Sequence, residues 1–234
     1  MRKFTHISRS AIFATLLVAT LFSCKKDKTE PVDSYDYYPL EIGRYAIYEV
    51  QEEIYSAGQA NPVKKSWQEK DETDRMATDE NGIPTYTFAR SRRNTDKESW
   101  QKVKEFTAQK FPDKLLTNID NQTFFSMAFP VDPNVTWNGN SYNNADAQEY
   151  HYENLGKPIQ VGSQSFDKAL VVVERKDTSI INRYIGIKQY GLGVGLIFDD
   201  QTAFELCQTE ECIGSGKIES GTHITRKIIE YGIK

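Results

Sequence analysis

The chain is 234 residues long, 38% apolar, and sets 29 Lys and Arg against 33 Asp and Glu, for a formal charge of −4. That acidic balance disfavours nucleic-acid binding, which needs clustered cations to neutralise phosphates, and Arg90, Arg92 and Arg93 form the one dense basic run. With three histidines in all, and none within ten positions of Cys207 or Cys212, a zinc site lacks ligands.

Arg2, Lys3 and Arg9 open the chain, and residues 11–22, AIFATLLVATLF, run on without a charge, the layout of a secretory signal. A helix that crosses the hydrocarbon core needs about 20 apolar residues, so this stretch is too short to span it. The tetrapeptide Leu21-Phe22-Ser23-Cys24 resembles the lipobox of bacterial lipoproteins. That resemblance implies cleavage after residue 23 and acylation of Cys24, so that the protein is held to a membrane through its lipid. Each buried methylene contributes about 0.8 kcal/mol and stable anchoring takes more than one acyl chain, which a diacylated or triacylated cysteine supplies. Removing residues 1–23, with Arg2, Lys3 and Arg9 and no acid, would leave 211 residues and take the formal charge from −4 to −7.

Residues 24–37 continue as KKDKTEPVDSYDY after the cysteine, charged, broken by Pro31 and without an apolar period. Such a segment buries too little to order itself, so residues 24–37 are expected to form a flexible tether with a reach of roughly 20 Å.

From Tyr38 the dominant signal is a period of two. In the first run Ala46, Tyr48, Val50 and Ile54 fall on one face and Glu49, Gln51 and Glu53 on the other, as a half-buried strand requires. Tyr86 and Phe88 repeat the pattern, as do Leu115, Thr117 and Ile119, and then Phe125, Met127 and Phe129. Asp132-Pro133-Asn134 interrupts the next run before Trp137, and Asn81-Gly82, Asn138-Gly139 and Gly162-Ser163 are pairs that tolerate the positive φ of tight hairpins. Further strands are expected over residues 148–155, 169–173, 180–190, 194–198 and 222–231. About ten strands joined by short connections leave no room for the crossover helices that parallel pairing demands. The expected fold is therefore all-β: over residues 38–234, a single antiparallel curled sheet or a half or whole barrel.

Two segments, YYPLEIGRYAIYEV at residues 37–50 and YGLGVGLIFDD at residues 190–200, resemble the opening and closing motifs of uncharacterised Bacteroidota-type lipoproteins. FPVDPNVTWNG at residues 129–139 and QEYHYENLG at residues 148–156 are similar to that family's middle. The resemblance implies an antiparallel sheet wrapped into a half or whole barrel, and a place in the cell envelope, at the outer membrane. It carries over no catalytic residue. KKDKTE at residues 25–30 is mixed in sign, where relatives exported to the cell surface often carry an acidic run, so the side of the membrane is left open.

Candidate chemistry is sparse. Cys207 and Cys212 enclose the loop CQTEEC, and an oxidising compartment would permit a bridge, one that closes so small a ring that it contributes roughly 2 kcal/mol at most. Gly191, Gly193 and Gly195 run into Leu196, Ile197 and Phe198, which suits a bulge or a close backbone approach better than a phosphate loop. His151 and His223 have no nucleophile motif beside them and are expected to be structural or solvated. The acidic groups Glu69, Asp71, Glu72, Asp74 and Asp199, Asp200 are expected on solvated faces, since they lack the glycine and terminal glutamate of a calcium loop. No metal ligands and no cofactor motif stand out.

Aromatics are plentiful. Most belong to the core, but Trp67, Trp100, Trp137, Tyr142, Tyr150 and Tyr152 could line a groove for a sugar ring or an acyl chain. The functional expectation is a membrane-anchored envelope lipoprotein, non-catalytic, that binds another envelope protein, a glycan or a lipid, or serves a structural role. The alternatives are a carrier of a hydrophobic ligand and, more weakly, a hydrolase. Replacing Cys24 with Ser should move the protein from the membrane fraction to the soluble one on fractionation, and a Cys24→Ser protein that stays in the membrane pellet would contradict the lipid anchor.

Overall fold

The computed structural model describes residues 34–234; Cys24, the expected signal over residues 1–23 and most of the expected tether lie outside them. A single 3₁₀ turn, Ser34–Tyr37, precedes the sheet. The first six strands are β1 (Arg44–Tyr55), β2 (Val63–Thr78), β3 (Pro84–Arg93), β4 (Gln101–Lys110), β5 (Lys114–Ile119) and β6 (Gln122–Ala128). The second six are β7 (Thr136–Asn138), β8 (Glu149–Val161), β9 (Gln164–Thr178), β10 (Asn182–Gly191), β11 (Gly195–Leu206) and β12 (Ile218–Ile233). All lie in one antiparallel sheet ordered β6, β5, β4, β3, β2, β1, β12, β11, β10, β9, β8, β7. The fold is thus two six-stranded meanders joined where the first strand pairs with the last, and the sheet curls into a nearly closed barrel.

The two strands beyond the expected ten are β2 and β4. Their sequences, VKKSWQEKDETDRMAT and QKVKEFTAQK, carry charges on both faces, so apolar alternation is diluted there and pairing with neighbours decides the conformation. In β1 the expected alternation holds, with Val50 paired to Trp67 on β2 and to Arg226 on β12. A tight turn with positive φ at both Asp120 and Asn121 joins β5 to β6, the geometry that right-handed strand twist favours in two-residue hairpins.

The tether expected over residues 24–37 runs too far. Tyr37 is 1% exposed within the larger hydrophobic cluster, and the Tyr35 ring packs on Phe129 at 4.6 Å, so Ser34–Tyr37 belongs to the folded domain. Two aromatic rings in four residues bury enough apolar surface to offset the order they require.

Only β6 and β7, at the sheet's two edges, interrupt the run of paired neighbours, and scattered hydrogen bonds span their gap. Phe125 N donates to Gly139 O at 2.9 Å, Trp137 Nε1 donates to Phe125 O at 2.7 Å, and Asn143 Nδ2 donates to Thr123 O at 3.0 Å. The Tyr152 hydroxyl both donates to Ala128 O at 2.7 Å and accepts from Ala128 N at 2.9 Å. Backbone groups at an open edge are thereby satisfied, mostly by side chains.

Asn138-Gly139 is not the hairpin turn expected from its residue types. Gly139 lies just past β7 and does not have a positive φ, and glycine is needed for another reason: an added Cβ would lie 2.2 Å from Cζ of Tyr150. Gly162, at φ +60°, does turn the β8–β9 hairpin, and Gly195, at φ +99°, follows the β10–β11 turn, beside a bulge in the ladder at Gln189 and Tyr190. Gly139→Ala should lower the stability to unfolding by about 1–3 kcal/mol, the usual effect of overpacking, as read from denaturant midpoints. Unchanged stability would mean that the Tyr150 ring is free to move away.

Candidate functional site

Strands of both meanders turn alternate side chains inward, and the space they leave is a cavity of about 580 Å³. Its wall is aromatic at Tyr38, Tyr48, Phe88, Phe106, Phe124, Tyr150 and Tyr190, and aliphatic at Ile119, Val194 and Leu196. Phe88 and Phe106 stack at 4.7 Å between centroids, which joins β3 and β4 by an aromatic contact on the wall. The exposed residues Asp120 and Gln122, at the β5–β6 turn, mark where the lining reaches solvent.

Set into this wall is a belt of ionic groups from six strands. Arg90 on β3 makes a bidentate pair with Asp71 on β2, with Nε to Oδ1 at 2.7 Å and Nη2 to Oδ2 at 2.6 Å. Arg226 on β12 donates from Nε to Glu69 Oε2 at 2.9 Å and from Nη1 to Asp199 Oδ2 at 3.0 Å. Gln201 Nε2 then bridges Asp199 Oδ1 at 2.8 Å and Glu174 Oε2 at 3.0 Å, and Lys188 on β10 pairs with Glu174 on β9. Glu69 Oε1 accepts from Trp67 Nε1 at 2.9 Å. Glu69, Asp71, Arg90 and Asp199 are each less than a tenth exposed.

The electrostatics follow from this packing. Burial works against the Glu69 carboxylate, yet Arg226 and Arg90 outweigh it and hold its carboxyl below the usual carboxylate range. Burial likewise opposes the charge on Arg90 and Lys188, but Asp71 beside the first and Glu174 beside the second push both pKa values above their ordinary ones. Tyr38, Tyr48, Tyr150 and Tyr190 are pushed up chiefly by burial, Tyr150 to about 12, so all four phenols are neutral near pH 7.

This belt corrects the expectation that the acidic clusters are solvated. Glu69 and Asp71 share the inward face of β2 with Trp67 and Thr73, whereas Glu72 and Asp74 point the other way. Asp199 is 3% exposed, while its neighbour Asp200 is half-buried beside His223, with Nε2 and Oδ1 3.0 Å apart. The signal was present as a charge at every second position on a strand whose partners, Phe88 with Arg90 on β3, alternate in the same register.

The structure does not gather the six candidate aromatics into one groove; among them Tyr150 alone lines the cavity. Trp137 is buried against Tyr152 at 4.7 Å and Tyr150 at 5.9 Å, and Tyr152 is spent on Ala128. Trp67 is buried, with the Arg92 guanidinium 4.1 Å from its ring centre. Trp100 lies between Arg93 and Lys70, at 4.3 and 5.6 Å, and Tyr142 is exposed beside Phe125. Size and aromaticity sent these rings to core and cation contacts, while the cavity wall drew on Tyr38, Phe88, Phe106 and Tyr190, which the sequence did not set apart.

Cys207 and Cys212 are joined in a disulfide, with Cα atoms 5.8 Å apart, in the loop between β11 and β12. Neither His151 nor His223 lines the cavity; His151 is half-buried, 3.5 Å from Glu153. Among the described residues, no cluster of three His, Cys, Asp or Glu side chains is placed to hold a metal ion, and no helix is long and apolar enough to cross a membrane.

No protein-family model and no curated protein matches the chain. Among solved structures, the chain is similar to a candidate lipoprotein from Parabacteroides distasonis, at 11% identity and a TM-score of 0.43, with 84% of this chain and 98% of that one covered.

Removing one partner of a buried pair leaves the other charge uncompensated, whereas an exposed pair contributes little. Arg90→Met should therefore destabilise the protein by about 3–5 kcal/mol in equilibrium unfolding, against a much smaller effect for Arg75→Met, whose partners Asp74 and Glu105 are solvated. Equal effects at the two sites would refute the belt's structural weight.

Proposed function

We propose that this protein is a lipid-anchored lipoprotein of the cell envelope whose barrel binds a small molecule without transforming it. The anchor rests on the secretory layout and the lipobox-like sequence ending at Cys24. The binding role rests on one observation, a cavity of about 580 Å³ lined by aromatic rings and crossed by oriented polar groups. That volume and that mixture of an apolar wall with a few fixed polar groups are those of small-molecule sites.

A plain acyl chain is a poorer match than a ligand with polar groups of its own. Arg90, Asp199, Glu174 and Lys188 all reach the cavity wall, and filling it with hydrocarbon would strip the remaining water from them without replacing a hydrogen bond. A binding role is favoured over catalysis by the placement of the histidines, since the His223 and Asp200 pair lies outside the lining.

Native mass spectrometry of the protein released gently from its own membranes should reveal a single non-covalent organic adduct. Ala46→Phe, which projects a ring from the cavity wall, should eliminate it while the barrel's circular dichroism spectrum stays unchanged. A wild-type protein that carries no adduct and also gains no thermal stability from any member of a broad metabolite panel would overturn the binding role.

A further inference from the structure

We infer that the cavity takes an uncharged, hydroxyl-bearing ring compound of the sugar class, and this rests on the cavity being a ligand site. The geometry is that of a wall whose charges are already paired, whose leftover polar groups are hydroxyls and one lone donor, and whose apolar parts are flat rings.

Five cations and four carboxylates stand on the lining, and each of them faces an opposite charge. Arg90 holds Asp71, Lys188 holds Glu174, and Arg226 holds Asp199 together with Glu69, which lies off the lining. The remaining two cations, Lys104 and Arg44, meet Asp120 at 2.7 Å and Glu41 at 3.1 Å. A charged ligand would therefore have to break one of these pairs or carry its own charge out of water uncompensated, and a neutral ligand does neither.

Polar groups nonetheless remain unpaired. Arg44 Nε is buried and has no acceptor among the described residues, while Nη1 and Nη2 of the same guanidinium are spent on Gly193 O and Glu41. The Thr73 hydroxyl, on a lining residue 1% exposed, is likewise without a partner, and Thr73 stands level with Arg44, one step past the pairing of Tyr45 with Glu72. On the second meander, Tyr190 is 3% exposed and Tyr150 6%, and neither hydroxyl has a hydrogen-bond partner among the described residues. Both keep some open surface, and both residues line the cavity. After burial itself, the strongest influence on the Tyr150 phenol comes from Glu174 and outweighs the opposing Lys188, and Glu174 and Asp199 act on Tyr190 in the same sense, so this side repels an anion. Arg44 Nε can only donate, so an ammonium gains nothing on the other side. A hydroxyl serves at both places, since its lone pairs accept from Arg44 and its proton goes to a phenol oxygen. Tyr38 lies 6.2 Å from both Phe88 and Tyr190, and Phe88 stacks on Phe106, so flat apolar surface is at hand for the C–H face of a pyranose ring.

Three probes on one skeleton separate the possibilities: phenyl β-glucoside, its 6-amino-6-deoxy analogue and phenyl β-glucuronide, which carry a hydroxyl, an ammonium and a carboxylate at the same end of the sugar. Each is titrated calorimetrically into the full-length protein, in a detergent without a sugar headgroup. The glucoside should bind about tenfold or more tighter than either charged analogue, a modest share of the penalty for one uncompensated charge. Tyr150→Phe combined with Tyr190→Phe should weaken the glucoside several-fold and leave the melting midpoint unchanged, because the lost hydroxyls hold nothing in the free protein. Binding of either charged analogue as tight as that of the glucoside would overturn the neutral assignment and leave the cavity a ligand site. Glucoside binding that is indifferent to the double substitution would overturn it too, by placing the sugar hydroxyls elsewhere. If none of the three binds, the sugar class is excluded, and the adduct measurement above decides the ligand site separately.

Discussion

The hydrogen-bonded ladder between β1 and β12 brings the beginning and end of the domain side by side, from Arg44 opposite Ile233 to Tyr55 opposite Gly221. Without it the molecule would be two flat meanders, each with a naked edge and neither with an interior. With it, only β1 and β12 separate β2 from β11, and Arg226 on β12 can reach Glu69 on one side and Asp199 on the other. The belt of charges is in this sense completed by the closure, and it also reinforces it, since the Arg226–Glu69 pair ties strands 157 positions apart in sequence. A buried pair is weak evidence for net stability, but here the register of seven adjacent strands is written into its geometry.

How much of this was legible in the sequence depends on what each residue type reports. The alternation in Ala46, Tyr48 and Val50 marks an inward face, and the absence of crossover segments leaves antiparallel pairing as the one economical arrangement. What failed was the assumption that a charged residue on a strand faces water. Glu69 and Asp71 lie inside because Arg90 and Arg226 meet them there, and those partners come from 19 and 157 positions away along the chain. No local pattern reports a pairing of that range. The same limit explains the aromatic candidates: Trp137 and Tyr152 look like ligand contacts by type, but their polar tips are taken by Phe125 and Ala128 at the edge between β6 and β7. Ser34–Tyr37 shows the reverse error, in which a polar run was read as a tether although its two tyrosines are anchored by the core.

The interior also departs from the simplest way to fill a small barrel, which is to pack it with apolar side chains. Large residues do fill part of it, and a second cluster around Tyr48, Val50, Trp67 and Phe166 closes off another part. Between them lies a space whose boundary combines stacked rings with ionised groups. Such a wall is less favourable for stability than a dry core, because ionic groups resist desolvation while an apolar filling does not. Proteins depart from the most stable filling at places where something else is accommodated.

The pairing of the first strand with the last has a consequence for how the chain reaches this state. β2 to β6 can zip up hairpin by hairpin as they are synthesised, and β8 to β11 likewise, but β1 finds its second neighbour only when the final sixteen-residue strand is present. The entropy of bringing distant segments together must be met before their contacts reward it, so this step comes late and sets the tempo of folding. Until then β1 has one bare side, and the half-made sheet offers an edge to any other extended chain nearby, which makes the closing moments of biogenesis the period of greatest exposure to aggregation.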